Sequence, residues 1–220
     1  MPDTHLIEKA YRDHISADTF PCVAAKLAGK KKNIHVMVAG HMGCPFHDKP
    51  VHEFLGRFIS SFRDSTEIYH SAAVIFPFEI SSEQEFETFL WQRLQALSDL
   101  DAINHEYAKD VSREPNANDF SYSLHGEALF IIGMHPFNER PARRFMYPAL
   151  VFNPHESFQH LRKKGGYEKM KSLVRKHDLE QNGSVNAMLA DFGERSEVFQ
   201  YSGRVYDSAW KCPLQIEHGK

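Results

Sequence analysis

The sequence has little cysteine, no long apolar run and no excess of positive charge. Its three cysteines, Cys22, Cys44 and Cys212, are odd in number, widely separated and form no C-x-x-C pair. That excludes a disulfide framework and a cysteine zinc site and predicts reduced thiols. No stretch approaches the roughly 18 apolar residues that span a bilayer. The opening residues, "MPDTHLIEKAYRDH", lack the basic start and apolar centre of a secretory signal. A cytoplasmic protein without membrane contact is therefore expected. The 26 Lys and Arg are answered by 29 Asp and Glu, a formal net charge of −3, so nothing draws the chain to nucleic acid in general.

Familiar catalytic signatures are missing too. "GHMG" at Gly40 has neither the G-x-G-x-x-G fingerprint nor a P-loop lysine, and no G-x-S-x-G is present. "DFGE" at Asp191 resembles a kinase magnesium motif but has no glycine-rich loop or H-R-D loop beside it. "HESFQH" sets His155 and His160 five apart, which rotates them off a common helix face and speaks against a zincin.

What is present suits one globular domain covering 1–220. At 42% hydrophobic and 25% charged the chain has an ordinary soluble composition and is long enough for one substantial core. Its 17 Phe serve core packing or line an apolar pocket. Helices are expected over 3–15, over "TFPCVAAKLAGKKK" with Pro21 near its start, and from Pro50, where Val51, Phe54, Leu55, Phe58, Ile59 and Phe62 form one stripe. Ser82 with Glu85 makes a capping-box pattern for a helix from 83 to about 101. Strands are expected at 33–40, 71–80, 127–135 and 148–153, with Pro77 ending the second or marking an edge. Residues 112–123, "SREPNANDFSYS", read as a long polar loop. The alternation implies a two-layer or three-layer α/β or α+β domain, a central sheet of about four strands flanked by amphipathic helices.

Between Gly133 and Phe158, "GMHPFNERPARRFMYPALVFNPHESF" concentrates ligand-type residues. Asn153 can cap a helix that Pro154 opens and Gly165-Gly166 closes, so His155 falls in the first turn. There the helix dipole disfavours protonation and leaves a lone pair for a metal. His135 follows a buried strand, where α/β folds place ligand sites. Arg140, Arg143 and Arg144 lie between the two, and a helical turn from Pro141 would point Arg140 and Arg144 the same way, as a fork for carboxylates. Neutral imidazoles, guanidiniums and a Phe-rich surround are the ingredients of a haem pocket. Hydrogen bonds at a strand end or helix start, and a solvated basic turn, explain the same residues without a ligand. Elsewhere His35, His41, His47 and His52 crowd with Asp48 and Glu53, a set that is either surface histidines or a non-haem iron site.

"FPC" at Phe20 to Cys22, "GMHP" at Gly133 to Pro136, "ARRF" at Ala142 to Phe145, "LVFNPHESFQHLR" at Leu150 to Arg162, and "DFGERSEVFQYSGR" through to Trp210-Lys211-Cys212-Pro213 together resemble the YqcI/YcgG family, over nearly the whole chain and in the same order. That family includes haem-dependent N-hydroxylases and N-oxygenases of amine and guanidine groups, such as the enzyme of guanitoxin biosynthesis. The resemblance implies haem b, with His155 as axial iron ligand and His135 as the alternative. Arg143 and Arg144, with Arg140, would meet haem propionates or a substrate carboxylate. It leaves Cys22 as a lesser thiolate candidate, its pKa lowered by a helix start.

The implied reaction uses O2 and an external electron donor, since no flavin or nicotinamide motif is present. The substrate nitrogen must be neutral to react, so acidic residues are wanted to bind its cation and take its proton. Glu156, Glu194 and Glu197 are the candidates, while Asp191 and Arg204 would pin the C-terminal segment over the pocket. Phe137-Asn138-Glu139 after "GMHP" replace the small hydroxyl residues of relatives, which suggests a different substrate. A homodimer is compatible with this reading. A haem-binding sensor or carrier without turnover, and a non-haem iron protein, are the competing readings.

Overall fold

The computed structural model describes residues 3–157, 165, 167–183, 193–207 and 209–218. Its elements follow the hydrophobic periodicity of the sequence. Asp3 caps α1 (Thr4–Ser16) by accepting from His5 N at 2.9 Å, and Ile7, Tyr11 and Ile15 turn inward along one stripe. Next come α2 (Val23–Lys30) and β1 (Ile34–Val38). A 3-10 turn at Pro45–His47 leads into α3 (Asp48–Arg63), which buries Val51, Leu55, Phe58, Ile59 and Phe62. The wholly buried β2 (Ser71–Ile75) stops short of Pro77, as its missing donor requires. Ser82 Oγ accepts from Glu85 N at 3.1 Å at the start of α4 (Glu83–Ala102), while the Glu85 carboxylate returns to Ser81 rather than Ser82. β3 (Tyr122–Leu124), β4 (Glu127–Met134), β5 (Ala149–Pro154), α5 (Tyr167–Asn182) and the short α6 (Val198–Tyr201) complete the order.

The sheet has five strands in the order β1-β2-β5-β4-β3; β1 and β2 pair in parallel and every other pair is antiparallel. Alternation along the strands separates two apolar layers. Ala73, Ile75, Ala149 and Val151 face α1 and α2, whereas Ala72, Val74, Leu150 and Phe152 face α3, α4 and α6. The result is a mixed α/β domain of three layers. The strand beyond the four expected is β3, which begins in the last two residues of the stretch read as a loop. Its polar residues are buried because each has a partner: Tyr122 OH donates to Leu94 O at 2.6 Å, and Ser123 Oγ accepts from Ala108 N at 3.0 Å. No helix among the described residues is long and apolar enough to cross a membrane.

Candidate functional site

The β4–β5 ladder decides how the two histidines of the 133–158 stretch relate. It runs from Leu129↔Pro154 at one end to Met134↔Ala149 at the other. His135 follows Met134 and His155 follows Pro154, so they flank opposite ends, about 24 Å apart along strands rising about 3.4 Å per residue. The expectation that both imidazoles and the bridging arginines meet at one cofactor is corrected by this register.

At the His135 end the polar groups close on one another. His135 is fully buried with its ring 4.4 Å from that of Phe86. Arg140 N donates to Asn138 Oδ1 at 3.0 Å, which aims the Asn138 amide at His135 Nε2, 3.3 Å away. Burial, reinforced by the Arg143 guanidinium, pushes the imidazole down to about 4 and keeps it neutral. Arg143 donates to Tyr201 O at 3.3 Å, and its own carbonyl accepts from His135 N at 3.0 Å. The expected Arg140/Arg144 fork does not form: Arg144 is extended backbone, and its guanidinium donates to Asn138 O at 2.8 Å and Glu139 O at 2.7 Å. Gly133 permits the packing above, because a Cβ there would lie 2.8 Å from Tyr201 O and 2.7 Å from Phe86. Arg204 pairs with Glu87, and Tyr206 OH donates to Glu87 Oε1 at 2.5 Å. Arg204 thus pins the C-terminal segment to α4; its expected companion Asp191 lies outside the described residues.

At the other end His155 meets a carboxylate. β5 continues through Asn153 and Pro154, so the helical turn opens at His155 itself, and Asn153 Nδ2 donates across to Phe130 O at 3.3 Å. The remainder of that expected helix, with His160, lies outside the described residues. His155 Nε2 is 3.3 Å from Glu197 Oε1, with the two side chains 3% and 7% exposed. Ser121 Oγ donates to Glu197 Oε2 at 3.0 Å and Tyr201 OH lies 3.5 Å from the same oxygen. A neutral imidazole that donates Nε2–H to this carboxylate carries its lone pair on Nδ1. An imidazole oriented by a buried, hydrogen-bonded carboxylate is the arrangement that metal-ligating histidines use.

The other candidates scatter. Cys22 precedes α2, and the Ala24 and Ala25 amides lower its pKa as expected, but burial outweighs them and the thiol is pushed up, against a thiolate ligand. Glu156 and Glu194 are exposed. The 35–53 set does not assemble: His35 packs on Phe58, His41 on Phe78, and Asp48 pairs with Arg93. His52 instead joins Asp101, His105 and His125, whose donor atoms lie within 4.8 Å of one another. Sequence reasoning passed over these three partners and Ser121. A His-Gly pair between two strand-like runs, "YSL" and "EALF", was the available signal for a two-residue hairpin that displays His125.

The profile of the YqcI/YcgG family matches residues 11–215 of this chain. The uncharacterized protein YcgG of Bacillus subtilis (strain 168) is 27% identical over 154 residues, a match covering 66% of this chain and 58% of the relative's length. No solved structure matches significantly.

Proposed function

The chain belongs to the YqcI/YcgG family, and on that premise we propose that it is a haem-dependent oxygenase that hydroxylates or oxidises an amine or guanidine nitrogen of a small molecule. The observation that carries this reading is the buried His155–Glu197 pair. The chemistry of the pair suits haem: one imidazole nitrogen would hold the iron while a carboxylate faces the other. His135 fits less well, because Asn138 meets its Nε2 and the carboxylate nearest that nitrogen, Glu83, is 3.7 Å away and partly exposed. Arg140, Arg143 and Arg144 stand at the far end of the ladder, so propionate partners for a haem on His155 are not those arginines.

Haem held by His155 would supply oxygen activation from O2 and electrons delivered by an external donor. The protein's residues do the rest. Glu197, 3.3 Å from His155 Nε2, fixes the ring and favours Nδ1 as the nitrogen that would hold the iron, while Ser121 and Tyr201 hold Glu197 in place. Glu156, exposed beside His155, offers negative charge to a cationic substrate and an acceptor for the proton its nitrogen must lose.

Reconstitution with haem tests the reading. Full-length protein should develop a Soret band and consume O2 with a reductant and basic amino acids, arylamines or guanidino compounds. Glu197→Gln should shift the band and weaken haem binding by about 10–100-fold. Wild-type protein that binds no haem overturns the proposal, and haem binding without substrate-dependent O2 consumption reassigns the chain as a haem sensor or carrier.

A further inference from the structure

A second imidazole cluster sits where α3, the end of α4 and the β3–β4 hairpin meet. Its anchor is Asp101, which has no exposed surface. Its carboxylate takes His52 Nε2 at 2.7 Å, the His125 backbone N–H at 3.0 Å to each oxygen, and His218 Nε2 at 3.0 Å. The hydrogen bonds from these groups outweigh burial and hold the Asp101 carboxyl below the usual range. The His125 ring stands 4.3 Å from that of His52 and 4.1 Å from that of His105. Three imidazoles thus crowd around one buried carboxylate oxygen.

Two backbone features exist to bring His125 there. His125 and Gly126 have φ of 50° and 70°, the left-handed pair of a two-residue hairpin turn. Glycine or asparagine is at home in the first of those positions, and a histidine held there marks a residue whose side chain matters. On α3, Gly56 leaves room for the ring: a Cβ at that position would lie 2.6 Å from His125 Cε1. His52 is one helical turn before Gly56, so the two present one surface to the hairpin.

We propose that His52, Asp101, His105 and His125 bind one first-row divalent transition-metal ion. Three imidazoles and one carboxylate suit zinc, iron, nickel or copper, whereas calcium and magnesium want oxygen donors. His218 acts as a positioning residue by holding the Asp101 oxygen that His52 does not take. The site is separate from the His155–Glu197 pair: Ser121 and His125 stand about 13 Å apart along β3 at about 3.3 Å per residue. It therefore stands or falls independently of the haem reading.

The competing account is that Asp101 is only a structural hub for hydrogen bonds. His105 separates the two, because its imidazole makes none of the bonds that hold the Asp101 carboxylate, yet its donor atom lies in the cluster. Chelator-treated, full-length, haem-free protein is titrated with Zn2+ and with Co2+ as a spectroscopic probe, with Mg2+ as a control. Wild type should bind one equivalent of Zn2+ and of Co2+, with the Co2+ absorption of a low-coordinate nitrogen-rich site, and should ignore Mg2+. His105→Ala should weaken binding by about tenfold or more while leaving the unfolding midpoint of the metal-free protein unchanged. Gly56→Ala, which displaces the His125 ring without removing a ligand, should also weaken binding, and exposed His41→Ala should not. Wild-type affinity in His105→Ala, or equal binding of Mg2+, overturns the site.

Discussion

The two ends of the β4–β5 ladder carry similar residues put to different use. At the His135 end, two arginines, an asparagine and a histidine spend the hydrogen bonds described above mainly on one another and on nearby backbone carbonyls. At the His155 end, imidazoles face buried carboxylates: His155 meets Glu197, and His52 and His218 meet Asp101. The first pattern braces a turn. The second sets ring nitrogens against buried carboxylates, the pairing on which the proposed haem and metal sites rest. A motif rich in ligand-type residues is therefore not by itself a ligand site, and what separates the cases is the partner of each nitrogen.

The largest effect expected from breaking this contrast is at Asp101. Asp101→Ala leaves the His125 N–H and the His52 and His218 rings without their acceptor in a buried place, and should cost about 3 kcal/mol, read from urea unfolding of the metal-free protein. At the opposite end, Gly133→Ala forces a Cβ against Tyr201 O and the Phe86 ring. Overpacking of this kind should destabilise by about 2 kcal/mol and leave metal binding at the hairpin intact. Loss of the metal site in Gly133→Ala would show that the two ends are not independent.

A third effect appears only in acid. The His135 pKa in the folded chain, about 4, lies below the ordinary histidine value of 6.5. The unfolded chain therefore takes up the proton first as pH falls. The stabilisation from keeping this ring neutral is complete above about pH 6.5 and is lost progressively towards pH 4. In His135→Leu, unfolding free energies across that window should depend less steeply on pH than in wild type. An unchanged slope would mean that His135 does not titrate as its burial requires.

Much of the fold was legible because periodicity survives into packing. The stripe from Val51 to Phe62, the Ser82 cap and the four longer strands all stand where spacing puts them. β3 was not, since three residues with polar neighbours give no alternation to read, and their burial depends on partners distant in sequence. Proximity in sequence misled at the sites. Residues 35–53 share a segment yet point to different neighbours, whereas His52, Asp101 and His125 come together from three elements. His155 and Glu197 could be singled out one by one, but their pairing depends on how α6 packs, which no local pattern encodes.

The claim that the His155 end carries the chemistry while the His135 end braces the fold is tested most directly by haem titration of His155→Ala beside His135→Ala, following the Soret band. The account predicts that His155→Ala loses the wild-type band or binds haem at least about tenfold more weakly, and that His135→Ala keeps the wild-type band position. A wild-type band in His155→Ala together with its loss in His135→Ala would contradict it.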